Sequence, residues 1–156
     1  MRKINWAIMI FFFILVSCDT SEKLDSGISE NSHSVMQENV PDGYARFSTA
    51  ETSLITGTYS WIDIEADSGS PKELTDQVEP LEVKPNGEVQ IYFKGNKRKP
   101  IDVKLFRWEE LDKGNQIELQ ENHTFIAPSE QGEYVFGLVT KWVEGNVYYA
   151  LKVKVN

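Results

Sequence analysis

The run YVFGLVTKWVEGNVYYALKVKV, Tyr134 to Val155, decides the fold. Apolar and polar side chains alternate along it, and a period of two sets one group on one face of a strand. Glu144-Gly145-Asn146 interrupts the alternation, and a Gly-Asn pair is a two-residue hairpin signal. With Gly145-Asn146 at the turn centre, Trp142 is predicted opposite Tyr149, Thr140 opposite Leu151, Leu138 opposite Val153 and Phe136 opposite Val155. That face is core. The other pairs Val143 with Tyr148, Lys141 with Ala150, Val139 with Lys152 and Gly137 with Lys154, and it is mostly wet. A slip of one residue would turn the lysines inward, so the assignment of faces is strongly specified.

Working outward, Pro85-Asn86-Gly87 reads as a three-residue hairpin loop. Pro is pre-set for a type I turn, and Gly is free to take positive φ. The predicted pairs are Val83 with Val89 and Leu81 with Ile91. Ile101, Val103 and Leu105 alternate, while Phe106 and Trp108 break the phase, which predicts a bulge or a strand end. Gln116 to Leu119, His123 to Ala127, and Thr58 to Ile64 read as shorter strands, the last with Tyr59 and Trp61 on one face. Thr49 to Leu54 suits a short helix. No other helix is predicted. The sequence therefore predicts an all-β protein, an antiparallel β-sandwich of about seven to eight strands, estimated from short strands at turn-separated spacing.

A chain of 156 residues sets an expectation of one domain. Its 12% aromatic content favours a packed β core. The formal charge of −8 disfavours nucleic acid as a partner, since that requires a basic footprint. Cys18 is the sole cysteine, so no disulfide forms within the chain and the core must hold the fold.

The first residues divide into three parts. Arg2 and Lys3 are basic, Ile4 to Val16 is apolar apart from Asn5, and the small Ser17 comes next. As a helix the apolar run reaches about 20 Å, short of a hydrocarbon core of about 30 Å. It therefore reads as an export signal, not as a span. Leu15-Val16-Ser17-Cys18 resembles the lipobox of bacterial lipoproteins. The resemblance implies diacylglycerol on the Cys18 thiol, cleavage that leaves Cys18 first, and a chain held by its lipid on the extracytoplasmic face of the cell membrane. Asp19 resembles the signal that retains Gram-negative lipoproteins at the inner membrane. Residues 1–17 are thus expected to be a signal peptide, 18–43 a lipidated Cys and flexible linker rich in Ser, Asp, Glu, Asn and Gly, and 44–156 the sandwich domain.

Glu130-Gln131-Gly132-Glu133-Tyr134-Val135-Phe136 resembles the start of strand F in immunoglobulin-like domains. The resemblance implies a tyrosine corner, with the Tyr134 hydroxyl bonded back to the preceding loop, and Phe136 in place of the family's Cys. It also makes Trp108 the candidate for the core Trp of strand C.

Three groups of residues are candidate sites. Asp63, Glu65 and Asp67 alternate as in a calcium loop. However, Ser68 stands where the Gly should be and Leu74 stands at the twelfth position, so a solvated loop is expected and no metal. Lys94, Lys97, Arg98 and Lys99 form a basic loop suited to an anionic partner. Val139, Val143 and Tyr148, on the outer face, are candidates for partner binding, as are Lys97, Arg98 and Lys99 of the basic loop. His33 and His123 are the only histidines, and no metal-ligand spacing or nucleophile elbow accompanies them. The expected function is a non-catalytic lipoprotein with no cofactor. The bilayer holds it through acylated Cys18, and its sandwich binds a protein or envelope polymer. One alternative is an immunity or stress lipoprotein that sequesters a peptide or inhibits an enzyme. Another is a structural accessory of a membrane complex.

Overall fold

The computed structural model describes residues 40–95, 99–109 and 112–156. The predicted signal peptide, Cys18, and Lys97 and Arg98 of the basic loop lie outside the described residues. In chain order the elements are β1 (Asp42–Phe47), β2 (Ala50–Ser53), β3 (Ile55–Trp61), β4 (Ile64–Ala66), α1 (Pro71–Thr75), β5 (Leu81–Val83), β6 (Glu88–Lys94), β7 (Asp102–Glu109), β8 (Asp112–Ile117), a 3₁₀ turn (Glu121–His123), β9 (Thr124–Ile126), β10 (Gly132–Lys141) and β11 (Gly145–Val155).

Two sheets face each other, so the fold is an all-β sandwich. One has four strands in the order β2-β1-β6-β9. The other has seven, in the order β4-β3-β11-β10-β7-β8, with β5 added to β11. All pairings are antiparallel except that of β5, which runs parallel to β11 at Val153–Val155. Among the described residues there are eleven strands, more than expected. Short pieces such as β2, β4 and β5 carry too few alternating residues to be legible alone.

The β10–β11 hairpin forms with its faces as predicted and its register moved. Leu138 lies opposite Tyr149, Phe136 opposite Leu151 and Thr140 opposite Val147. The turn is centred on Val143-Glu144, and Trp142 N–H donates to Gly145 O at 2.7 Å. The displacement along the partner strand is four residues. An even displacement leaves every side chain on its face. Gly145 is needed for a different reason, because a Cβ there would lie 2.0 Å from Ser60 O of the neighbouring strand β3.

Lys84 to Gly87 does turn, with Gly87 N–H donating to Lys84 O at 3.0 Å. It is not a hairpin. β5 joins β11, whereas β6 lies between β1 and β9 in the other sheet, so the turn carries the chain from one sheet to the other. Asn86, not Gly87, takes positive φ, at 57°. Pro followed by a residue at positive φ suits a type II turn. Thr49 to Leu54 is not helical. Ser48, at φ 55°, opens a two-residue turn that pairs Phe47 with Ala50 and so forms the β1–β2 hairpin. The bulge expected near Phe106 and Trp108 is present as a shift in the β7–β8 ladder between those residues.

The core contains Trp61, Leu105, Phe125, Phe136, Leu138, Tyr149, Leu151 and Val153, with Val89 and Ile91 from the facing sheet. Trp61 meets Trp142 edge-on at 6.1 Å, and Phe93 crosses from the four-stranded sheet to Trp142 at 5.3 Å. Trp108 is not a core tryptophan. It is half-buried on the outer face of β7, opposite Val135, because the β7–β10 ladder is unbroken and strand alternation places it with Lys104 and Phe106, on the face opposite to buried Leu105. The tyrosine-corner contact is present, with Tyr134 OH donating to Glu130 O at 2.9 Å. Thr140 is the one polar residue in the buried row of β10. Its hydroxyl donates to Val147 O at 2.9 Å and accepts from Trp142 Nε1 at 2.9 Å, so its burial leaves nothing unpaired.

Candidate functional site

Part of the outer face of the seven-stranded sheet is covered by α1, a helix that begins at a capping box. The Ser70 side chain accepts from Glu73 N–H, and the Glu73 carboxylate accepts from Ser70 N–H at 2.7 Å. Pro71 opens the helix, where a missing N–H costs nothing. The helix rests on small residues. A Cβ at Gly57 would meet Leu74 Cδ1 at 3.0 Å, and one at Gly137 would meet Pro71 Cγ at 3.2 Å. Gly137 is paired with the fully buried Ala150.

Beyond the helix the face is open. Val139 on β10 lies directly opposite Tyr148 on β11, and Lys104 of β7 lies opposite Val139 on its other side. Tyr148 is 45% exposed. It lines a shallow groove of about 470 Å³ together with Thr58, Ser60, Glu65, Asp67 and Asn146. The groove walls are pre-ordered. Thr58 Oγ1 donates to Asp67 Oδ1 at 3.1 Å, Ser68 N–H donates to the same oxygen at 3.0 Å, and Ser60 Oγ donates to Glu65 Oε1 at 3.2 Å. Two of the alternating acids are thus groove walls bound to their own neighbours, and Asp63 is exposed in the β3–β4 turn. Among the described residues, no three His, Cys, Asp or Glu side chains converge to hold a metal ion.

The predicted residues divide. Val139 and Tyr148 come together. Val143 does not pair with Tyr148. It sits on the hairpin turn, because the register moved by four. Lys99 is exposed and faces His123, whose imidazole is held below its usual pKa by burial first and by the Lys99 charge second. Lys94 belongs to another surface. It ends β6 on the outer face of the four-stranded sheet.

Sequence reading missed that second surface. Tyr44 and Tyr92 are cross-strand partners and stack at 5.4 Å. Lys94 Nζ lies 4.1 Å from the centre of the Tyr44 ring, and the Arg46 guanidinium lies 4.8 Å from that of Tyr92. Glu51 joins them, accepting from Tyr92 OH and pairing with Lys94 at 3.4 Å and Arg46 at 3.5 Å. The Tyr92 hydroxyl first, then Lys94 and Arg46, hold the Glu51 carboxyl below its usual pKa. The signal was available in outline, since Tyr44, Arg46, Tyr92 and Lys94 are each two residues apart on strands. Without the β1–β6 pairing the two halves could not be joined. The cluster satisfies itself, with cations on the rings and the hydroxyl on the carboxylate, so it acts as a clamp between strands. The open strip Val139–Tyr148 and its groove can do something different: seat a partner's side chain against a flat ring with hydrogen-bonding groups at its edge. Comparison of the chain with protein-family models, curated proteins and solved structures found no match, so the reading of these surfaces rests on their own chemistry.

Proposed function

We propose that the chain is a lipid-anchored binding module of the bacterial cell envelope. Acylated Cys18 holds it to the extracytoplasmic face of the membrane, and its immunoglobulin-like sandwich engages a protein partner without catalysis. The observation that carries the binding role is Tyr148. A large amphipathic ring stands 45% exposed on the open half of an otherwise helix-covered sheet face. Val139 is its cross-strand neighbour, and Ser60, Glu65 and Asn146 line the same groove. Tyrosines in such settings are common anchors of protein interfaces, because they bury much area with few rotatable bonds. The anchoring role rests on the lipobox-like Leu15-Val16-Ser17-Cys18 and the short apolar run before it.

Two measurements test the two halves. Metabolic labelling with a palmitate analogue is expected to mark the wild-type chain and not Cys18→Ser; an unlabelled wild type ends the anchoring role. A photoreactive residue at position 148 in intact cells is expected to give a discrete protein adduct. The same residue at Ile126, exposed at the far end of the sandwich, is expected to give none. Equal crosslinking at both positions, or none at 148, ends the binding role.

A further inference from the structure

Three large apolar side chains stand out at one end of the sandwich. Ile62 is 65% exposed, Val143 67% and Ile101 61%. They are neighbours. Ile62 N–H donates to Glu144 O at 2.9 Å, which sets the β3–β4 turn beside the β10–β11 turn. Ile101 N–H donates to Lys141 O at 2.7 Å, which sets the start of β7 on the other side. The strands β3, β11, β10 and β7 are consecutive in the sheet, so the tips form a row of about 15 Å at the usual strand spacing.

Ile62 occupies a position that opposes its residue type. It is the first residue of the two-residue turn between the paired Trp61 and Ile64, and it has φ 54°. Gly, Asn and Asp are at ease there, and a β-branched residue is the least favoured. A strained residue that points into solvent brings no packing that could offset the strain. Such strain is found where the presented side chain is used.

The chain also enters the sandwich at this end. Asp42, which opens β1, lies opposite Lys94, which closes β6. Pro41 O accepts from Tyr149 OH at 2.6 Å, and Phe93, beside Lys94, packs on Trp142, beside Val143. The described residues therefore begin at this end, on the side of the sequence that carries Cys18. Charge does not select the surface. Exposed Lys99 and Lys141 are matched by exposed Asp63 and Asp102, the latter 3.5 Å from Lys104.

We infer that this end of the sandwich lies on the lipid bilayer that holds Cys18, with Ile62, Val143 and Ile101 entering the headgroup boundary. The inference rests on the anchoring proposed above. The anchor keeps the domain at high local concentration over the surface, so three side chains suffice where they would not hold a free protein. With its end on the membrane, the sandwich stands upright and the Tyr148 groove faces sideways, open to a neighbour.

The test uses full-length acylated protein in vesicles of phosphatidylethanolamine and phosphatidylglycerol. Acylation occupies the only native thiol, so Ile62→Cys, Val143→Cys and Ile126→Cys each carry one free thiol for an environment-sensitive fluorophore. Emission at 62 and 143 is expected to move to shorter wavelength and to be quenched by spin-labelled lipid, with neither effect at 126. If the protein floats with the vesicles while labels at 62 and 143 keep their emission in water, the inference is overturned and the anchoring stands. If those labels shift only when envelope proteins are added, the surface is a protein interface and the inference is equally overturned. If the wild type does not float with the vesicles, the anchoring fails and takes the inference with it.

Discussion

Gly145 shows how a correct residue-level signal carries a different reason from the one first read. Next to Asn146 it marks a turn, yet the turn centre is Val143-Glu144, and the glycine is required because β3 passes too close for a side chain, 2.0 Å from an added Cβ to Ser60 O. Gly145→Ala must push two strands apart and is expected to cost about 1–3 kcal/mol in urea melts, as overpacking does. Gly87 repeats the pattern, since an added Cβ would meet Phe47 Cε2 at 2.5 Å while Asn86 takes the positive φ. Local composition reveals that a glycine is needed but not whether the need is torsional or steric, because the neighbour that imposes it is remote in sequence. The faces were legible nonetheless. Phe136, predicted as core, is buried with its ring 5.0 Å from that of Phe125. Phe136→Ala is expected to cost about 3–5 kcal/mol. A loss under about 1 kcal/mol, far below that range, would contradict the packing. Ile62 runs the other way. Ile62→Asn relieves an unfavourable φ and is expected to raise stability by about 1 kcal/mol in urea melts and, on the orientation proposed above, to weaken binding to vesicles. A variant that is more stable but less bound is the signature of strain kept for function.

At the scale of elements, α1 was written in the sequence as Ser70-Pro71-Lys72-Glu73, a capping box with Pro in the first turn. It escaped reading because a helix of five residues is too short to show an apolar period of 3.6. Isolated, such a helix would not persist. It holds because Pro71 and Leu74 sit on Gly137 and Gly57. Ser70→Ala is expected to cost about 1 kcal/mol, as lost N-caps do, and to alter the acid response. The Ser70 backbone N–H first and its hydroxyl second hold the Glu73 carboxyl below its usual pKa. The stabilisation from Glu73 is therefore present above the unfolded-state value of about 4.3 and is lost as pH falls through the folded value. Urea melts of both proteins along an acid series check this, and the difference between them should shrink towards low pH. The turn at Pro85-Asn86-Gly87 shows the opposite limit. Its chemistry was plain, but a turn within one sheet and a corner between two sheets use the same residues. Only the parallel docking of β5 on β11 decides between them.

At the scale of the molecule, a buried polar contact ties the residue before β1 to the opposite sheet, Tyr149 OH donating to Pro41 O at 2.6 Å. No sequence pattern connects residues so far apart, although Tyr149 was rightly placed on the core face. Burial first, and the Asp42 charge second, push the Tyr149 hydroxyl well above its usual pKa. A raised value means that the folded state keeps a proton the unfolded chain gives up. The stabilisation is then complete below the unfolded value of about 10 and is lost as pH rises beyond it. Acid works through other groups. Glu51 and His123 both lie below their usual values, Glu51 through Tyr92 and its cations and His123 through burial and Lys99. For each of them the unfolded chain binds protons first as pH falls, so both oppose folding in acid. The alkaline side isolates one residue. Tyr149→Phe removes a hydrogen bond and leaves Pro41 O short of a partner, which is expected to cost about 1 kcal/mol at neutral pH. It also removes the group that titrates, so the wild type should lose stability between about pH 9 and about pH 11 more steeply than the variant, and the two melting curves should converge. Equal alkaline slopes would mean that Tyr149 ionises in the folded protein as readily as in the unfolded chain, and that its hydroxyl does not hold the first strand to the opposite sheet.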